Sequence, residues 1–146
     1  MASNVKGRYS GGDLYFQDNE GKELCRMSAS TDGFGCRLAY EAHTASDTLT
    51  VAESGSVHSN VGASGAVTLT LPQDATAGVH YHFSVCVAQE LRLEPGAAGA
   101  IYLVAGKGTD DKYATANAIG EAITLVADGN GDWVSLGEVG TWTFEA

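Results

Sequence analysis

The chain is poor in basic residues, proline and cysteine, and each shortage removes a class of function. Eight Lys and Arg stand against 18 Asp and Glu, for a formal net charge of -10. A nucleic-acid or anionic-membrane surface needs clustered cations, so neither partner is expected. With 2 Pro against 19 Gly, turns must be made mainly by glycine. The three cysteines, Cys25, Cys36 and Cys86, cannot all pair within one chain, and no CxxC occurs. A disulfide framework is therefore not expected. Cys25 and Cys36 could bridge a hairpin, but reduced thiols in a protein made in a cytoplasm fit the count better. No apolar run approaches membrane-spanning length, and Met1 to Gly12 has no apolar stretch of the signal-peptide kind, so no export signal is expected. Sustained helical periodicity is missing too; Thr115 to Ile119 is the one weak helical candidate.

What remains suits short strands. Hydrophobic residues make up 44% of the chain and charged residues 18%, enough apolar surface for a core and outside the disordered class. Charge is unevenly distributed. Up to Tyr40, Lys6, Arg8, Lys22, Arg26 and Arg37 cancel Asp13, Asp18, Glu20, Glu23 and Asp32. From Glu41 onward only Arg92, Lys107 and Lys112 oppose all the remaining acids, so the net charge belongs to the second part. A neutral leader on an acidic body suggests two roles. The boundary is read at Ser46/Asp47, giving an arm over residues 1–46 and a body over 47–146.

In the arm, Asp13 to Gln17 and Lys22 to Met27 flank a turn at Asp18 to Gly21, a hairpin signal. Ser28 to Gly35 reads as a loop and Cys36 to Tyr40 as a further strand. In the body, Thr48 to Ala52 and Ser56 to Asn60 read as short strands. Val67, Leu69 and Leu71 then alternate with Thr68 and Thr70, and Pro72 ends the run. Val79, Tyr81, Phe83, Val85 and Val87 share one face, with His80, His82, Ser84 and Cys86 on the other. Leu91 and Leu93 point inward. Ala100 to Ala105, apolar throughout, reads as buried on both faces, and Gly106 to Ala118 as a polar loop. Ala122 to Ala127, Trp133 to Gly137 and Thr141 to Glu145 close the body. This spacing predicts an all-β fold, a small β-sandwich or barrel preceded by an extended or β-hairpin arm.

No pattern assembles a catalytic site. A GxSxG elbow, a phosphate-binding GxxxxGK[ST] and a helix-opening GxGxxG are all missing. His80 and His82 share a strand face, but zinc wants three or four converging ligands, and Cys86 lies two pleats too far along. Asp128-Gly129-Asn130-Gly131-Asp132 has oxygens at alternate positions, yet lacks the sixth-position Gly and twelfth-position acid of a calcium loop. Between two apolar strands it reads better as a hairpin turn. Trp133 and Trp142 are expected to pair in the core rather than to offer stacking platforms for a sugar. His43 and His58 read as solvated loop residues. No enzyme activity, metal or cofactor is expected. The arm is the most informative part outside the core: Tyr9, Leu14, Tyr15, Phe16, Leu24 and Met27 put apolar groups on a segment too short for its own core. They are the expected partner-binding residues, with strand addition as the route.

The order Gly62-Ala63-Ser64-Gly65, Val67-Thr68-Leu69-Thr70-Leu71-Pro72, Gly78 before an aromatic-rich strand, Gly120 to Gly137 and a late Gly140-Thr141-Trp142 resembles a β-module recurrent in tailed-bacteriophage virion proteins. It covers about Thr48 to Thr143. Such modules occur in capsid decoration (cement) proteins, head fibres and tail fibres, usually as homotrimers and without catalytic residues. The resemblance implies association with a particle. A single module behind a short adhesive leader fits a cement protein better than a long fibre. The expectation is a homotrimeric structural protein on the capsid exterior, bound to the major capsid protein, with a fibre module that binds a receptor or glycan as the alternative.

Overall fold

The computed structural model describes residues 38–145 in full, and the backbone of four strands before them. The chain divides into two units, Met1–Arg37 and Leu38–Ala146.

In the first unit, β1 (Lys6–Ser10), β2 (Asp13–Gln17), β3 (Glu23–Ser30) and β4 (Gly33–Gly35) form an antiparallel sheet in sequence order. The hairpin read from the sequence is β2 and β3. Strand β1 had no sequence signal, and the end of β3 (from Ser28) and β4 occupy ground expected to be loop. Tyr9, Leu14 and Met27 are register partners across β1, β2 and β3, and Phe16 is opposite Cys25. Leu24 falls where the β2–β3 register shifts. The side chains of Tyr9, Leu14, Tyr15, Phe16, Leu24 and Met27 lie outside the described residues, as does the stretch 36–37.

The second unit is a β-sandwich. One sheet has five strands in the order β16-β13-β10-β8-β6: Thr143–Phe144, Ala114–Ala116, Leu91–Glu94, Val67–Thr70 and Asp47–Thr48. The other has seven, β12-β11-β15-β14-β9-β7-β5: Gly106–Lys107, Ile101–Leu103, Trp133–Val139, Ala122–Ala127, His80–Ser84, Val57–Ser59 and Tyr40–Ala42. Alternation builds the core between them, because successive strand side chains face opposite ways. Val67 and Leu69, Leu91 and Leu93, Tyr81 and Phe83, and Ile123 and Leu125 are all buried. Trp133 packs beside Tyr81, with ring centroids 5.6 Å apart. The Tyr81 hydroxyl donates to Thr50 O at 2.7 Å, and burial pushes its pKa up to about 12. The turn at Asp128 to Asp132 joins the antiparallel pair β14–β15, with positive φ at Gly129 and Gly131, as a tight hairpin requires.

Several expectations are corrected. The second unit starts at Leu38 rather than Asp47, because Tyr40–Ala42 pairs in parallel with β7 at the sheet edge. The strand expected over Thr48 to Ala52 stops at Thr48, and Val51–Glu53 is a 3-10 turn. In that turn the Glu53 carboxylate accepts from Thr50 N and Oγ1, which satisfies donors the turn itself leaves free. Ala100 to Ala105 is not buried on both faces: Tyr102 is exposed, and Val104 is 88% exposed in the β11–β12 turn. The expected polar loop over Gly106 to Ala118 contains β12 and β13, and the helical candidate at Thr115 is strand. Alanine and threonine in β13 carry little local preference; pairing with β10 and β16 decides. Trp133 and Trp142 are both buried, but Trp133 is in β15 while Trp142 precedes β16 of the other sheet, so they do not pair across adjacent strands. Among the described residues no helix is long and apolar enough to cross a membrane.

Candidate functional site

Two features of the second unit go beyond packing. The first is the outer face of the seven-stranded sheet. Strands β11, β14, β9 and β7 contain no Asp, Glu, Lys or Arg, and β15 contains only Glu138. In a molecule of net charge -10 this sheet has charged residues only at Glu138 and, on its two edge strands, at Lys107 and Glu41. Its outward positions include Tyr102 and Val134, which are register partners between β11 and β15, then Leu136 and Val139 further along β15. All four are exposed, Leu136 to 71%. The β14–β15 register shifts after Thr124, and this irregularity turns Leu136 outward between Ser135 and Gly137. His80, His82 and Thr124 continue the face as half-buried groups. By contrast, the outward positions of β8 and β10 are Thr68, Thr70, Arg92 and Glu94.

His80 and His82 do share that face, with ring centroids 5.8 Å apart. Each Nδ1 has a local partner: His80 is 3.0 Å from Gly78 O, and His82 is 3.0 Å from Thr124 Oγ1. Among the described residues no third ligand converges on them. The Cys86 thiol has Ser84 Oγ as its neighbour, 3.7 Å away. Trp133 and Trp142 offer no stacking platform. Trp142 Nε1 donates to Ala122 O at 3.1 Å inside the body.

The second feature is a polar chain in the core that the sequence reading missed. His43 and His58, expected to be solvated, are 5% and 0% exposed. His58 lies opposite Phe83 across β7–β9 and Glu41 across β5–β7. Its ring stacks on Phe83 at 5.8 Å and meets the Tyr81 ring edge-on at 5.6 Å. His43 follows β5 and donates its backbone N–H to Ser59 O at 2.8 Å. His43 Nε2 and His58 Nδ1 are 3.0 Å apart, and His58 Nε2 is 2.6 Å from Ser56 Oγ. On the far side, His43 Nδ1 faces Asp47 Oδ2 at 3.5 Å. Ligand atoms of Glu41, His43 and His58 all lie within 4.8 Å of one another. Burial first, and then the neighbouring His43, hold the His58 pKa below the ordinary imidazole range.

Hydrogen bonding fixes where the protons sit. Ser56 has one hydroxyl proton, and Glu53 O at 2.5 Å can only accept it. Ser56 must then accept from His58 Nε2–H, which leaves His58 Nδ1 as an acceptor. The serine is oriented by the main chain and buried, so this is not a nucleophile–base pair.

The sequence held one clue to His58, its place in Ser56-Val57-His58-Ser59. A three-residue strand gives no parity, however, and hydropathy favours Val57 as the inward residue. The parallel register reverses that choice by placing His58 beside Phe83. No protein-family model matches the chain, and a comparison with curated proteins finds none that matches it.

Proposed function

We propose that this chain is a structural assembly module, a decoration (cement) protein that binds the outside of a tailed-phage capsid as a homotrimer and stabilises it without catalysis. The observation that carries the assembly reading is the charge-poor outer face bearing Tyr102, Val134, Leu136 and Val139, with Lys107 over the Tyr102 ring at its edge. Removing charges from water is costly and covering apolar surface is favourable, so a face of this kind suits a protein contact. Its position on an acidic body keeps the rest of the surface soluble. The separate unit Met1–Arg37, whose sequence places Tyr9, Leu14, Tyr15, Phe16, Leu24 and Met27 among balanced charges, supports the second half of the reading, an arm that engages the major capsid protein. The capsid and the phage enter through the resemblance of Thr48 to Thr143. The alternative of a glycan-binding tip loses its best aromatic platforms, because Trp133 and Trp142 are buried.

The test is hydrodynamic and then functional. The full chain is expected to sediment as a trimer, and Leu136→Asp to shift it toward monomer with its fold intact. Phage heads stripped of their decoration layer are expected to take up the wild type at saturable stoichiometry and to resist heat and osmotic shock better. A monomer at high concentration that leaves heads undecorated refutes the proposal.

A further inference from the structure

We propose that Glu41, His43 and His58 form a binding site for a divalent transition-metal ion of the zinc class, clasping the edge strand β5 to β7. The inference is independent of the assembly reading and concerns a different part of the sheet.

Ligand atoms of Glu41, His43 and His58 lie within 4.8 Å of one another, and the two imidazoles bring one proton each to the contacts around them. The chain of contacts running Asp47, His43, His58, Ser56 has three places that each need a positive hydrogen or its equivalent. One lies between Asp47 Oδ2 and His43 Nδ1, one between His43 Nε2 and His58 Nδ1, and one between His58 Nε2 and Ser56 Oγ. Two neutral imidazoles bring only two N–H groups. Ser56 claims the one on His58 Nε2, because its own proton goes to Glu53 O. His43 then has a single proton for two places. If it sits on Nε2, a bare Nδ1 faces a carboxylate. If it sits on Nδ1, two bare nitrogens face each other at 3.0 Å inside the core. The second arrangement opposes lone pairs in the core, and the first turns an unprotonated Nδ1 toward the half-exposed Asp47 carboxylate 3.5 Å away.

A metal ion in the middle place removes the conflict. His43 then carries its proton on Nδ1 toward Asp47, His58 keeps its proton on Nε2 toward Ser56, and the two inner nitrogens both become ligands. Each metal-facing imidazole has its far N–H directed at an oxygen, which is the outer-shell arrangement that orients histidine ligands. Glu41 supplies a third ligand and a negative charge from the opposed position on β5. Two imidazoles and one carboxylate form a donor set that zinc accepts, at ligand distances of about 2.0–2.2 Å, with a fourth place left for water. Glu41 is exposed, so its carboxylate can swing the short distance needed, and the ion has an entry path from solvent.

Titration of the metal-stripped full chain with Zn²⁺ by calorimetry, and with Co²⁺ by visible absorption, tests this. One ion per chain is expected, with a cobalt spectrum of low coordination number and a higher melting temperature in the presence of Zn²⁺. Loss of an outer-shell partner typically costs about 10–100-fold in affinity, so Asp47→Asn is expected to weaken binding by about 10-fold. Glu41→Gln and His43→Ala, which remove ligands, should weaken it by more than about 100-fold. Glu41 and Asp47 are exposed, so their variants fold and carry the test even if His43→Ala does not. The His80→Ala/His82→Ala double variant is expected to bind like the wild type. Two results overturn the proposal: no stoichiometric binding by the wild type, or binding that survives Glu41→Gln and disappears with His80 and His82.

Discussion

Asn60 offers the sharpest test of how this fold is held. Its side chain is fully buried at the end of β7 and makes four hydrogen bonds to the segment that leaves β9. Oδ1 accepts from Cys86 N at 2.7 Å and Val87 N at 3.1 Å, while Nδ2 donates to Val87 O at 3.1 Å and Gln89 O at 2.9 Å. Asn60→Ala strands Cys86 N, Val87 N and Gln89 O, whereas Val87 O keeps its bond from Gln89 N. An orphaned buried group costs about 1–3 kcal/mol, and the low end applies because this segment is half-buried, so the total is about 4 kcal/mol. That is a large share of the roughly 5–15 kcal/mol available to a domain. At about 4 °C per kcal/mol for a domain of this size, the melting temperature should fall by about 15 °C. Urea unfolding followed by fluorescence of the buried Trp133 and Trp142 measures it directly. Asn60→Asp separates the two halves of the clamp. It keeps the acceptor but turns a carboxylate oxygen on two carbonyls, which raises its folded pKa above the usual value of about 3.9. A group with a raised folded pKa stabilises below its unfolded pKa and loses that contribution as pH rises through the folded value. The Asp variant should therefore be closer to wild type near pH 4 than at neutral pH. A loss below about 1 kcal/mol for Asn60→Ala, under the minimum for even one orphaned group, refutes the clamp.

Further outcomes follow from other residues. Glu121 is buried, and its carboxylate accepts from Thr141 N, Ala118 N and Asn117 N; these bonds hold its pKa below the usual 4.5. Its contribution, about 2 kcal/mol for bonds to a charged group, is therefore present above the unfolded pKa and lost as pH falls through the lower folded value. Glu121→Gln should be about 2 kcal/mol less stable at neutral pH and show a flatter acid limb in pH-dependent unfolding. A Cβ at Gly99 would run into Gly131 O, a backbone atom that cannot swing away, so Gly99→Ala should cost about 3 kcal/mol by urea titration. Trp133→Ala, which empties the largest fully buried site, should cost about 3–5 kcal/mol. Leu136→Asp should change unfolding free energy by less than about 0.5 kcal/mol, because Leu136 supports no core contact, and yet reduce self-association.

Residue order alone determined the strands whose alternation runs four residues or more. Val67 to Leu71, Val79 to Val85, Leu91 to Glu94 and Ala122 to Ala127 announce their inward faces, because a period of two over that length admits one parity. It also determined the glycine hairpin at Asp128 to Asp132 and the all-β class. Short strands were beyond its reach: with two or three residues, β5, β6, β12 and β13 are fixed by the partners they pair with. The candidate metal site depended wholly on that pairing. His43 and His58 are separated in sequence, and neither shows a periodic signal. They become neighbours only because β5 and β7 run parallel and place Glu41 opposite His58. Parallel pairing joins segments through crossovers that leave no local turn signature, so only the assembled sheets could bring these ligands together.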